Sequence, residues 1–127
     1  MKILLVDDNA MFRTLATRVL EEAGFEVRSL DPASVFEVLK LAREFAPDLA
    51  IIDYHLPRCN AETLAVILKR DETFGRVRIL AISTSRDSAV VEAMAACGAD
   101  AFVFKGAMAG LVETVREMAR TAPGQAG

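Results

Sequence analysis

Five side chains in this sequence can do chemistry if the fold brings them together: the adjacent acids Asp7 and Asp8, the acid Asp53, the hydroxyl of Ser83 and the amine of Lys105. Each stands at or just beyond the end of a short apolar run, over residues 3–6, 49–52, 77–82 and 101–104. Taken singly, each has an ordinary structural reading: Asp7 and Asp8 as a helix cap, Asp53 as a strand-end acid, Ser83 as a turn hydroxyl, Lys105 as a solvated strand end. At one edge of a sheet the reading changes. Three carboxylates held together repel one another, a divalent cation relieves that repulsion, and an oxygen-only donor set without cysteine or histidine pairs suits magnesium. A lysine and a hydroxyl facing the cation complete a cradle for a phosphoryl group.

The elements needed for that convergence are legible in the pattern. Residues 49–52 are continuously apolar, which predicts a strand covered on both faces, at the centre of a parallel sheet. Residues 3–6, 25–30, 77–82 and 101–104 are read as four further strands. Between them, Met11, Phe12, Leu15, Ala16, Val19 and Leu20 recur at helical spacing, Val35, Val38, Leu39 and Ala42 form a second stripe, and Leu64, Ile67 and Leu68 a third. Val90, Val91, Met94 and Ala95 make a fourth, and Met108, Leu111, Val112, Val115 and Met118 a fifth. Gly24 and Gly98 read as helix stops; Asp31 with Pro32, and Asp87, read as helix starts. Pro47 is expected to end the second helix, and the third to run to near Gly75. Strands alternating with helices imply right-handed crossovers and a parallel sheet covered on both faces, so the strand-end residues open on one edge.

Composition sets the outer limits. At 127 residues the chain makes one ordinary domain, and 53% hydrophobic with 26% charged residues indicates a soluble globular protein. No apolar run reaches the length of a membrane span and the amino terminus lacks the pattern of a signal peptide, so the cytoplasm is expected. Two cysteines and one histidine make zinc a poor fit, and Cys59 and Cys97 read as reduced thiols. A net charge of -3 argues against direct binding of nucleic acid.

At ILLVDDN, LAIIDYHLP, RILAIS and GADAFVFKG the chain resembles the receiver domain of two-component response regulators, in the manner of single-domain chemotaxis regulators and over essentially its whole length. The resemblance implies an α/β, flavodoxin-like (βα)5 three-layer sandwich with strand order 2-1-3-4-5. It implies Asp53 as phosphoryl acceptor, magnesium held by Asp7, Asp8, Asp53 and the backbone carbonyl of His55, and Ser83 and Lys105 on the phosphoryl oxygens. Ser83 and Phe102 would form the switch, Phe102 lacking the phenol hydroxyl often found there. A histidine kinase or phosphotransfer protein would supply the phosphoryl group, and a target protein would dock on helix four, strand five and helix five. Such a domain catalyses its own phosphorylation and slow dephosphorylation rather than a metabolic reaction, as a monomer or phosphorylation-dependent dimer, with no nucleic acid or membrane as partner.

Residues 1–120 are expected to form the receiver and 121–127 a flexible tail. If 127 is the natural end the chain is a stand-alone regulator; residues 121–127 read equally as the stump of a linker to an output domain. A degenerate receiver acting as an unphosphorylated interaction module is the non-catalytic alternative, and the full acidic set counts against it. A dehalogenase-type phosphatase needs a DxD arrangement on its first strand, and a dinucleotide-binding domain needs a glycine-rich turn there; VDDNAMF has neither. Four positions depart from the family pattern. Gly106 follows Lys105 where proline in a cis peptide is usual, which favours a trans bond and a rebuilt loop. Asn60 and Ala61 replace a common acid and glycine, predicting a different turn after Pro57. Thr84 replaces a smaller residue beside the site, and His55 and Ser85 flank it.

Overall fold

The structure is a computed structural model that describes residues 1–106 and 108–121. Five strands and five helices alternate: β1 (Lys2–Val6), α1 (Ala10–Glu22), β2 (Glu26–Leu30), α2 (Val35–Phe45), β3 (Leu49–Asp53), α3 (Ala61–Arg70), β4 (Arg78–Ser83), α4 (Ser88–Ala96), β5 (Ala101–Phe104) and α5 (Met108–Arg120). All strand pairs are parallel and their order is β2-β1-β3-β4-β5, the flavodoxin-like arrangement expected. Of the expected tail, residues 122–127 lie outside the described residues.

Strand alternation divides the interior in two, because successive side chains leave a strand on opposite faces. On one face Leu4, Val6, Ala50, Ile52, Ile79 and Ala81 meet α2, α3 and α4 through Val38, Leu39, Leu64, Leu68 and Met94. On the other, Ile3, Leu5, Leu49, Ile51, Leu80 and Ile82 meet α1 and α5 through Ala16, Leu20, Leu111, Val115 and Met118. β3 is buried at all five positions, as a central strand covered on both faces must be. The same alternation continues into the strand ends. Asp7 and Asp53 follow the parity of Leu5 and Ile51, and Lys105 that of Val103, so all three belong to the α1/α5 face. Ser83 follows Ala81 onto the α4 face.

Local signals start and stop the helices. Asn9, Ser34, Asn60 and Asp87 cap α1, α2, α3 and α4, each side-chain oxygen accepting an N–H of the first turn. Asp31 is therefore not the cap of α2; three residues later Ser34 takes that role, and Glu37 reaches back to the N–H of Ala33. Asp31 instead meets Arg58 at 3.4 Å on the surface. Gly24 and Gly98 close α1 and α4 at φ of 98° and 104°, a region alanine adopts only under strain. Ala46 nonetheless takes φ 52° at the end of α2, ahead of Pro47. α3 stops at Arg70, earlier than expected; a separate 3-10 turn, Glu72–Phe74, follows, and Gly75 closes that turn instead. Four strands have bounds one residue from those expected: β1 begins at Lys2, β2 begins at Glu26, β3 runs on to Asp53 and β4 covers Arg78–Ser83.

Not every helix-spaced apolar residue is core. On α1 only Ala16 and Leu20 are buried, while Met11 is 74% and Leu15 49% exposed. On α4 only Met94 is buried. A helix resting on a sheet covers a narrow stripe, and an apolar residue one step off it stays in water.

Candidate functional site

β1 and β3 are neighbours at the point where strand order reverses, so their following loops run to opposite faces and leave a crevice at their carboxyl ends. Asp7, Asp8 and Asp53 meet there, each offering a carboxylate oxygen within 4.8 Å of the others. Asp7 is fully buried and Asp53 is 3% exposed, while Asp8 faces solvent. Lys105 enters from β5 across β4 and sets its Nζ 2.8 Å from Asp7 Oδ2 and 3.5 Å from Asp53 Oδ2. The Lys105–Gly106 bond is trans, and the rebuilt loop still delivers the amine.

Backbone donors fix the two buried acids. The N–H of Asn9 donates to Asp7 Oδ1 at 2.8 Å, and that of His55 to Asp53 Oδ1 at 3.3 Å. Asp7 Oδ2 has the close lysine charge but no aligned hydrogen bond. Burial pushes the Asp53 carboxyl above the ordinary carboxylate range, Asp7 adds to that rise, and Lys105 and the His55 N–H oppose it. Three carboxylates against one ammonium leave two negative charges uncompensated, the charge of one divalent cation. The residues thus fit an oxygen-ligated magnesium ion, with solvent-facing Asp8 leaving room for water ligands.

Ser83 closes the crevice from β4. It is fully buried, and its Oγ accepts the N–H of Ser85 at 2.9 Å, which leaves the hydroxyl proton free to donate. Register ties this end down: Tyr54 N–H donates to Ile82 O at 2.9 Å, and Lys105 N–H to Ser83 O at 2.8 Å. Phe102 pairs in register with Ala81, on the face of Ser83, and is half-buried against Met94. With Val91, Ala95 and Ala99 it lines a shallow depression between α4 and β5. His55 is exposed and meets the Tyr54 ring edge-on at 5.0 Å. Asn60 accepts the N–H of Thr63 at 2.8 Å, so the altered turn after Pro57 serves as the cap of α3.

Two contributors escaped sequence reasoning. Arg13 donates from Nη1 to the backbone carbonyl of Asp7 at 2.7 Å and braces the turn that carries both acids. Phe12 presents its ring 4.7 Å from Lys105 Nζ, an aromatic wall beside the ammonium. Phe12 had a signal, since it directly precedes Arg13 in the first turn after the acids, but helical spacing alone marks it as core. Cys59 and Cys97 are free thiols, and burial raises both above the ordinary thiol range, as suits inert cysteines. Among the described residues no helix is long and apolar enough to cross a membrane.

The chain is similar to known proteins. The chain is 28% identical over 103 residues to the polar-differentiation response regulator DivK of Brucella ovis, a match covering 81% of this chain and 82% of that one. Among solved structures, a putative response regulator from Chloroflexus aurantiacus superposes with a TM-score of 0.83 at 28% identity, covering 92% of this chain and 95% of that one. Chemotaxis response regulator CheY4 of Vibrio cholerae gives 0.81 at 24% identity, over 91% and 96% of the two chains, a likeness of fold. The family model for the response regulator receiver domain matches residues 3–116, which takes in all five strands, the acidic crevice and Lys105. With the sheet order, the carboxylate cluster and that match in agreement, the chain belongs to the receiver domain family of two-component response regulators.

Proposed function

We propose that this receiver takes a phosphoryl group onto Asp53 from a phosphohistidine on a partner kinase or phosphotransfer protein, and that the modified domain changes which proteins it binds. The observation that carries this reading is the convergence of three carboxylates within 4.8 Å around one lysine. Asp7, Asp8 and Asp53, with the His55 carbonyl, would hold magnesium. The bound cation supplies charge neutralisation for an incoming phosphoryl group.

Each remaining step falls to the chain's own groups. An Asp53 carboxylate oxygen attacks phosphorus, the P–N bond to the donor imidazole breaks, and that nitrogen keeps the electron pair and takes a proton; the product is an acyl phosphate. Lys105, already 3.5 Å from Asp53 Oδ2, follows the growing negative charge, and the free Ser83 proton donates to a phosphoryl oxygen. Water attack on phosphorus later returns phosphate and the Asp53 carboxylate. Readout would pass from Ser83 to Phe102 on the same sheet face, and from there to the depression it lines beside α4, with α4, β5 and α5 as the docking face for the target. Phe102 has no polar tip to satisfy, so packing alone holds its buried state, and the equilibrium would be partly shifted to the active form before phosphorylation.

Incubation with a small acyl phosphate and magnesium, followed by mass spectrometry, tests the acceptor. The expected result is one phosphoryl group on Asp53 and none in Asp53→Asn; labelling of the variant to the wild-type extent would remove the proposal.

A further inference from the structure

The segment from β4 to α4 is built as a hydrogen-bonded staircase. The N–H of Ser85 donates to Ser83 Oγ at 2.9 Å, that of Asp87 to Ser85 Oγ at 3.1 Å, and that of Ala89 to Asp87 Oδ1 at 2.9 Å. Each step advances two residues, so one chain of bonds runs from the buried hydroxyl at the crevice to the first turn of α4. These are local bonds; the backbone bond from Lys105 N–H to Ser83 O at 2.8 Å fixes the foot of the staircase but not where residues 84–87 sit relative to Lys105. Arg86, between Ser85 and Asp87, supplies a long-range anchor. Its guanidinium carbon lies 4.0 Å from the centroid of the Phe104 ring. Phe104 is the register partner of Ser83 and the residue before Lys105.

A second observation concerns the same ring. Phe104 lies so close to Gly106 that a Cβ there would sit 2.6 Å from Cε1, 3.2 Å from Cζ and 3.3 Å from Cδ1. Only glycine leaves room for the ring in this position. Phe104 therefore touches both loops that flank the crevice, the one after β4 through Arg86 and the one after β5 through Gly106. Among the described residues, no other side chain of residues 84–87 makes an ion pair or cation–π contact outside its own loop.

Resting on the phosphoryl-transfer reading above, we propose that Arg86 is a positioning residue for that reaction: its stack on Phe104 locks the Ser83 staircase to the loop carrying Lys105. The hydroxyl and the amine, which come from different strands, are thereby held in one geometry before a phosphoryl group arrives, and the cost of ordering them is met in folding. Glycine after Lys105 acquires a reason, since the ring occupies the space a side chain there would need.

The test uses Arg86→Gln, Phe104→Leu, their double variant, Phe104→Tyr and Gly106→Ala in the full chain, with two readouts. The first is NMR of the metal-free protein. Ring-current shifts on the Arg86 side chain and the Gly106 Hα are expected in wild type and Phe104→Tyr and lost in Phe104→Leu. Amides of residues 84–87 should broaden in Arg86→Gln, Phe104→Leu and Gly106→Ala alike. The second is the rate of Asp53 phosphorylation by a small acyl phosphate with magnesium. Either single loss should slow it about fivefold, the change a cation–π contact of ordinary strength corresponds to. The double variant should be no slower than either, and Phe104→Tyr should match wild type. Multiplying losses in the double variant, or unchanged amides over residues 84–87 in Arg86→Gln, would overturn the proposal. If wild type takes no phosphoryl group on Asp53, the function proposed above fails instead, whatever the metal-free spectra show for the stack.

Discussion

The two edges of the sheet treat their acids in opposite ways. At the amino-terminal edge, Asp48 accepts the N–H of Lys2 at 2.8 Å and Asp100 that of Ile79 at 2.8 Å, each acid joining the start of its own strand to the start of a neighbour. Asp100 also has Lys69 Nζ at 2.7 Å. These carboxylates are placed one at a time beside donors. At the carboxyl-terminal edge three are crowded together around one lysine, two of them buried, with Asp53 pushed toward protonation. The first arrangement lowers the energy of the fold; the second raises it, and like charges crowded beyond what their donors and one lysine offset mark where a ligand belongs.

Substitutions at both edges put numbers on that contrast. The largest effect is expected at Asp53: Asn there should reduce phosphoryl incorporation at least about 100-fold, read by mass spectrometry, because the nucleophile itself is gone. Next is Asp8→Ala, which should weaken magnesium binding about tenfold or more in a metal titration while leaving the melting temperature nearly unchanged, as Asp8 is a solvent-facing member of the cluster. At the opposite edge Asp100→Ala should destabilise the protein by about 1–2 kcal/mol in urea unfolding, through loss of the Ile79 hydrogen bond and the Lys69 pair, with no effect on magnesium affinity.

A smaller effect of opposite sign sharpens the comparison most. In chelator, Asp53→Asn should stabilise the fold by about 1 kcal/mol at neutral pH. The sign follows from the raised carboxyl: the folded state binds the Asp53 proton more tightly than the unfolded chain does, so ionisation penalises folding. Below the ordinary carboxylate range both states are protonated and variant and wild type should coincide. The gap should open as pH rises through that range and level off above the raised value. Urea melts at several pH values read it directly, and a variant less stable than wild type at neutral pH would show that Asp53 is as well placed as Asp100. The least effect belongs to the surface: Arg18→Ala, which breaks an exposed pair with Glu22, should change stability by no more than about 0.5 kcal/mol.

Much of this was legible in the chain. β5 has the bounds read from its apolar run, β3 gains only Asp53, and Gly24, Gly98 and Asp87 stop or start helices as their types suggest. The five residues singled out for chemistry all lie at one edge, four of them in mutual contact or within 4.8 Å. What failed, failed for identifiable reasons. Asp31 was a good cap type in front of a good first-turn proline, but Ser34 accepts the first-turn N–H of Glu37 while Glu37 accepts that of Ala33 just before the cap, and Asp31 was left to Arg58. Met11, Leu15, Val91 and Ala95 kept the helical period, yet period says only that a stripe exists and not how wide a strip of it the sheet covers.

The order of elements follows from the chain alone, and the two-residue repeat of each strand sets the face on which its end group emerges; Asp7, Asp53 and Lys105 share a side in the register of this parallel sheet. Those are consequences of local geometry, set by φ, ψ and alternation within a few residues. Long-range packing is what rests Lys105 closer to Asp7 than to Asp53, walls its ammonium with Phe12, and lays Arg86 on a ring 18 positions further along the chain. Those outcomes depend on distances of a few tenths of an ångström between groups remote in sequence, on how wide a neighbouring ring is and whether residue 106 carries a Cβ, and no periodicity in the chain encodes them.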